Sequence, residues 1–130
     1  MDAPLVAAAV PAVLAGLLHV YIFVLESVRW EDPATRRTFG TTAEQAAVTR
    51  EMAYNQGFYN LFLAVVTLVG VVLLGPVREA GVALVVAGTG SMLAAALVLV
   101  TSDRTQARPA TVQGTLPAVA LLLLVLAGLL

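Results

Sequence analysis

The sequence contains no cysteine, and only 12% of its 130 residues are charged. The lack of cysteine excludes a disulfide framework and any metal site built from thiolates. The scarcity of charge says more, because a soluble domain usually carries about 25% charged residues. With 60% hydrophobic residues and a mean hydropathy of +0.94, this chain cannot cover itself with polar surface. Lipid is therefore its expected solvent.

The low net charge and the single histidine exclude two further classes of function. The formal net charge is -1, so we expect no nucleic-acid partner, because nothing indicates a strongly basic surface. There is one histidine, His19, which supplies one metal or haem ligand. A site with several ligands would need Glu26 or a histidine from another subunit. We therefore predict no metal site, and the sequence names no cofactor.

Four apolar stretches are present, at about 4–26, 52–74, 80–101 and 112–130. Each approaches the roughly 20 residues that a helix needs to cross the hydrocarbon core. Backbone polar groups must pair internally in lipid, so these stretches predict helices rather than open strands. The expected fold is all-α: a four-transmembrane-helix bundle forming a single membrane domain over residues 1–130. Asp2 and the length of the first stretch favour a retained span over a secretory signal.

Arginine predicts the orientation. Six of the seven basic residues follow the first or third span: Arg29, Arg36, Arg37, Arg50, Arg104 and Arg108. Only Arg78 lies on the opposite side. Since short positive loops stay cytoplasmic, loop 27–50 is predicted to be cytoplasmic and both termini to be on the outer side.

Loop 27–50 is long enough to contain structure. Pro33 is expected to break the first helix. Thr41 and Glu44 have the spacing of a capping box, so the second helix is predicted to begin near Thr42 and to continue into the membrane. Trp30 and Phe39 are expected at the level of the lipid headgroups.

Polar residues collect towards the same end of the predicted spans. His19 and Glu26 are two helical turns apart, about 10 Å, and share a face with Ala12, Ala15 and Gly16. That face of small residues predicts packing on protein.

Gly81, Gly88 and Ala95 recur at intervals of seven and predict close helix packing, within the bundle or between subunits.

The second and fourth spans add to this cluster. Gln56, Tyr59 and Asn60 fall on one arc, with Asn55 at its edge and Asn60 close to the depth of His19. Gln113 lies one turn before Pro117 in the last span. These residues predict a polar cluster in the cytoplasmic leaflet, and costly polar groups within spans are by default candidates for a functional site.

The residue types suggest roles. His19, Glu26 and Tyr59 are the catalytic candidates, because they can transfer protons. Asn55, Gln56, Asn60 and Gln113 are the binding candidates, because amides orient a ligand oxygen. Whether the protein is an enzyme stays open. In the alternative interpretation the polar side chains only hydrogen-bond neighbouring helices, and Glu26 pairs with Arg29 or Arg104 at the surface.

Four stretches carry a family resemblance: HVYIFVLESVRW at 19–30, Phe39-Gly40, NQGFYNLFLA at 55–64 and QGTLPA at 113–118. They resemble the successive signatures of the small bacterial four-helix membrane proteins of domain of unknown function 1304. The resemblance implies that the seven candidate residues above recur in that family. It also implies a multi-pass protein of the bacterial cytoplasmic (inner) membrane, but no reaction.

Three functions remain. The first is a site that binds or converts a small lipophilic molecule. The second is an accessory or structural subunit of a membrane complex. The third is a small four-helix transporter, although the apolar outer half offers no polar exit path. A chain this small also favours self-association, so a homo-oligomer is an expected partner arrangement.

Overall fold

The computed structural model describes residues 1–129, and over that range the chain forms helices and no strand. The long helices are α1 (Ala3–Phe23), α3 (Ala43–Leu73), α4 (Arg78–Ser102) and α5 (Ala107–Leu126). A wider π-helical turn, Val24–Val28, continues α1, and the short helix α2 (Pro33–Phe39) follows it. All four long segments are apolar enough to cross a membrane, which confirms the predicted all-α four-span fold. Residue 130, the predicted end of the last span, lies outside the described residues.

The four long helices form a ring. α1 packs against α3 and α5, and α4 packs against the same two helices, whereas the diagonal pairs barely touch. α1 and α3 are antiparallel, because Gly16 contacts Leu68 whereas Ser27 contacts Gly57. α3 and α4 are antiparallel in the same way, because Gly70 contacts Val85 whereas Thr67 contacts Gly88. The α1–α3 and α4–α5 connections therefore lie at one end, called here the arginine-rich end because it carries Arg29, Arg36, Arg37, Arg50, Arg104 and Arg108. Arg78 lies at the other end and pairs with Asp2 at 3.1 Å.

Small residues set the distance between the helices. Gly81 and Gly88 of α4 pack directly on α3, so this part of the predicted stripe lies within the bundle. Ala95 is exposed, and the buried side of α4 continues through Met92 and Ala96 instead. Without strong hydrophobic attraction between helices in lipid, such close backbone approach supplies the packing energy.

The end opposite the arginine-rich end is filled by apolar side chains. The buried core cluster consists of Leu5, Ala8, Ala9, Ala12, Leu74, Val85, Ala120 and Leu124. Two buried hydroxyls lie on α3 and α4, and each bonds a carbonyl of its own helix: Thr67 to Leu63 at 2.9 Å and Thr89 to Val85 at 2.6 Å. This half of the bundle is therefore closely packed and internally satisfied.

The predicted cap of the second span was wrong by one residue. Thr42, not Thr41, caps α3: its hydroxyl accepts from the Gln45 backbone at 3.1 Å, and the Gln45 side chain accepts from the Thr42 backbone at 3.0 Å. Thr41 belongs to the end of α2 instead, where its backbone N–H donates to the Arg36 carbonyl at 2.9 Å. Gly40, in the left-handed region with φ 65°, turns the chain between the two helices.

Gly70→Ala is expected to loosen the α3–α4 contact. An added Cβ would lie 2.7 Å from the Val85 nitrogen and 2.9 Å from Leu84 Cβ. Overpacking of this kind costs about 1–3 kcal/mol, which exceeds the gain of about 1 kcal/mol in helix propensity. Gly90→Ala is the matched control, because no atom lies within 4 Å of its added Cβ. Unfolding in detergent, followed by circular dichroism, should show destabilisation for Gly70→Ala only; equal stability of the two variants would contradict the packing.

Candidate functional site

The first span ends in a turn that places Glu26. The backbone N–H of Arg29 bonds the Val24 carbonyl at 3.0 Å, a five-residue spacing that widens the helix over Val24–Val28. A widened turn shifts the direction of the side chains that follow it, and such turns occur frequently at functional sites. Glu26 lies at the centre of this turn and is half-buried.

Glu26 is held by an amide of the second span. Asn60, only 7% exposed, donates from Nδ2 to Glu26 Oε2 at 2.7 Å and to the Gln56 carbonyl at 3.2 Å. The surface ion pair considered for Glu26 is not formed: Arg29 pairs with Asp32 at 3.0 Å, and within residues 1–129 no arginine reaches ion-pair distance of Glu26. The carboxylate therefore has a neutral partner.

The widened turn packs directly against Gly57 of α3. A Cβ added at Gly57 would overlap Ser27 Oγ and would lie 3.0 Å from the Ser27 nitrogen and 3.1 Å from Glu26 Cβ. Ser27 Oγ in turn donates to the Tyr54 carbonyl at 2.7 Å. Sequence reasoning missed Gly57 and Ser27. The available signal was a single glycine inside a helix, three residues before Asn60 and on the same side.

Aromatic rings border the seam between α1 and α3. The ring of Phe58 lies 5.1 Å from Phe23, 5.0 Å from Tyr54 and 6.2 Å from Phe62, measured between centroids. Edge and tilted contacts at these distances add to the energy of burial. The polar contact between Glu26 and Asn60 thus has an apolar, aromatic wall beside it.

A second aromatic pair ties α2 to the bundle. The rings of Trp30 and Phe39 are 5.1 Å apart, and the Trp30 indole N–H donates to Thr49 Oγ1 at 3.1 Å. The two residues predicted for the headgroup level therefore contact each other, and they cover the connection that follows Glu26.

His19 lies deeper in the bundle and is 1% exposed. Its Nδ1 is 2.9 Å from the carbonyl oxygen of Ala15. The contacts of Gly16 with Leu68 and of Ser27 with Gly57 set a register that places His19 level with Val65. Asn60 lies more than one helical turn before that level and reaches Glu26 instead. The prediction that Asn60 lies close to the depth of His19 is therefore wrong, and Asn60 lies at the level of Glu26.

Gln113 is half-buried on α5, between the buried residues Ala110 and Pro117 on the same side of the helix. Pro117 has no N–H, so the backbone carbonyl of Gln113 lacks its usual helical donor. Within the described chain the Gln113 side chain makes no hydrogen bond. Gln113 therefore adds polar groups to the half-buried side of α5. It forms no hydrogen bond with Glu26 in the described chain.

The structure separates the remaining candidates from this group. Asn55, Gln56 and Tyr59 are exposed on α3, with Tyr59 65% exposed. The reason is geometric: Gly57 and Asn60 occupy the side of α3 that faces the bundle, so the residues between them point away from it. Any role of the exposed three is exerted from the surface of the bundle, and their assignment stays a prediction.

Two shallow depressions lie at the arginine-rich end. One of about 400 Å³ is lined by Pro33, Arg36, Arg37, Gly40, Thr41 and Thr42. The other, of about 470 Å³, is lined by Ala47, Val48, Arg50, Glu51 and Tyr54. Both are wide open, as expected for surface concavities of a connecting region. The polar groups around Glu26 lie outside both, at the seam between α1 and α3.

Comparison with known proteins gives one match. A family model described as "Protein of unknown function (DUF1304)" matches residues 13–125, which include His19, the widened turn, Asn60 and Gln113. No curated protein and no solved structure matches the chain.

Gly57→Ala is expected to push the widened turn off α3 and to destabilise the fold. Part of the loss in unfolding free energy comes from the overlap of the new Cβ with Ser27 Oγ. Ser27→Ala removes that oxygen, so the double variant should lack this part of the loss. The cost of Gly57→Ala should then fall by about 0.5 kcal/mol or more, the range of coupling seen between contacting residues. Unfolding free energies of the two single variants and the double variant measure this. Strictly additive costs would show that Gly57 does not support the turn.

Proposed function

Since the chain belongs to the family described as "Protein of unknown function (DUF1304)", we propose its function from the site itself: it binds a small lipophilic molecule at the arginine-rich end. The polar group of that molecule contacts Glu26 and Asn60, and its apolar part lies along the seam between α1 and α3. The arginine bias supports the cytoplasmic leaflet as the position of this end, and the membrane we propose is a bacterial inner membrane.

The observation that carries the proposal is the half-buried carboxylate of Glu26 with a neutral partner. Ionisable groups in spans are costly, and interhelical adhesion alone is served by neutral amide pairs. Glu26 Oε1 accepts no hydrogen bond within residues 1–129. A carboxylate with unused acceptor capacity, in a turn of functional type, supports ligand binding more than adhesion.

The surroundings favour a lipophilic molecule. Phe23 and Phe58 border the polar contact, so a molecule that enters sideways from the acyl chains of the bilayer would meet an apolar wall there. The opposite half of the bundle is filled by the core that includes Leu5, Leu74 and Leu124. Within residues 1–129 this apolar packing favours binding over transport.

Conversion of the bound molecule would use groups that move protons. Glu26 is at the seam and is the group best placed to take or give a proton. His19 lies about 10 Å further along α1, so the two act in series or on a ligand long enough to reach both. Tyr59 would act only from the outer surface of α3.

A second candidate function is that of a subunit in a homo-oligomer or larger membrane complex. The exposed Asn55, Gln56 and Tyr59 favour it, because hydrogen-bonding side chains on a span are better covered by another protein than by lipid. A partner recovered by gentle purification, with no bound small molecule, would support this alternative.

Purification in nanodiscs followed by extraction and mass spectrometry tests the proposal. The wild type is expected to carry a stoichiometric small molecule, and Glu26→Gln and Asn60→Leu should each reduce its occupancy about tenfold or more, because each removes a contact to the polar group. Glu79→Gln is the matched control, since it removes an exposed carboxylate at the other end of the bundle. A folded wild type without any bound molecule, or full occupancy in Glu26→Gln, would overturn the proposal.

A further inference from the structure

We infer that the molecule bound at Glu26 is a hydrogen-bond donor: an amphiphile with a hydroxyl or N–H group, such as a phenol, quinol or alcohol, rather than a ketone, quinone or ether. This inference rests on the proposed function and adds the chemical class of the ligand. It follows from the hydrogen-bonding groups that the site has left to offer.

Asn60 has no donor left. Its amide carries two N–H bonds, and these are directed to Glu26 Oε2 at 2.7 Å and to the Gln56 carbonyl at 3.2 Å. Only the amide oxygen remains, which accepts. When Glu26 is ionised, as in mildly basic buffer, its carboxylate also only accepts, through Oε1 and the second lone pair of Oε2. In that state the pair presents acceptors alone to an incoming group.

His19 extends the same pattern into the bundle. A backbone carbonyl can only accept, so the contact with Ala15 requires the proton to be on Nδ1. In the neutral ring, Nε2 is then a lone pair. Within residues 1–129 no hydrogen bond to Nε2 is formed, and no side-chain nitrogen or oxygen is both enclosed and unpaired, so Nε2 is an accessible acceptor.

Gln113 contributes one more acceptor. Pro117 leaves the backbone carbonyl of Gln113 without its helical donor, and Gln113 lies between the buried residues Ala110 and Pro117 of α5. The Gln113 side chain is the exception in the group, since its amide offers donors as well. Acceptors nevertheless predominate across α1, α3 and α5.

A donor ligand satisfies this arrangement and an acceptor ligand does not. A hydroxyl placed at Glu26 gives a hydrogen bond to the carboxylate, which is stronger than one between neutral groups. A ketone or ether oxygen at the same position would face another acceptor and would form no hydrogen bond with it. Sites built in this way reject the analogue that lacks the matching group far more strongly than they reject a change in size.

The experiment compares para-decylphenol with para-decylanisole, which differ only in the donor hydroxyl. Binding to the protein in nanodiscs, at about pH 8.5 and after removal of any copurified molecule, is measured by native mass spectrometry. The phenol is expected to bind about tenfold more tightly than the methyl ether.

Glu26→Gln tests the inference more stringently, because it replaces a carboxylate that only accepts by an amide that also has two N–H donors. It should reduce the preference for the phenol at least about threefold and improve binding of the ether, whereas Glu79→Gln should leave the preference unchanged. Equal binding of the two probes to the wild type would overturn this inference while leaving the proposed site intact. No binding of either probe, to a protein that also purifies empty, would overturn both.

Discussion

The close approach of the widened turn Val24–Val28 to Gly57 is the contact on which the site depends. Any side chain at Gly57 would hold α1 away from α3 at this level. Because the helices meet here, Ser27 reaches the backbone of α3, and Glu26 comes within 2.7 Å of Asn60. Tyr54, about one turn before Gly57, and Phe58, directly after it, complete the aromatic border. The polar contact is thus a consequence of backbone geometry at a glycine, not of attraction between opposite charges.

The two halves of the bundle differ in how they are stabilised. At the end near Asp2 and Arg78, leucine, valine and alanine side chains interlock and fill the interior. At the arginine-rich end, the interior contains an imidazole, a carboxylate and amides whose hydrogen-bonding capacity is only partly used. A protein that needed stability alone would have no reason to keep an ionisable group in the second half. The asymmetry supports a site that opens towards one leaflet.

Much of the architecture could be predicted from the sequence, because span length and apolar composition are local properties. The buried face of α1 at Ala12, Ala15, Gly16 and His19 also follows from helical spacing. The site could be predicted only in part. Regular spacing does not reveal the widened turn, so the partner of Glu26 was unknown. Which side of α3 faces α1 is decided by tertiary packing at Gly57, and this is why Asn60 turns inward while Asn55, Gln56 and Tyr59 turn outward.

The coupling between Glu26 and Asn60 tests this account most directly. Unfolding free energies of Glu26→Leu, Asn60→Leu and the double variant, measured in bicelles, give the interaction energy of the pair. We expect a favourable coupling of about 0.5–2 kcal/mol, the size found for contacting polar groups in membranes and cores. The distant pair Glu79→Ala and Asn60→Leu should be additive. Additive effects for Glu26 and Asn60 as well would show that the contact does not hold the carboxylate in place, which would contradict the account.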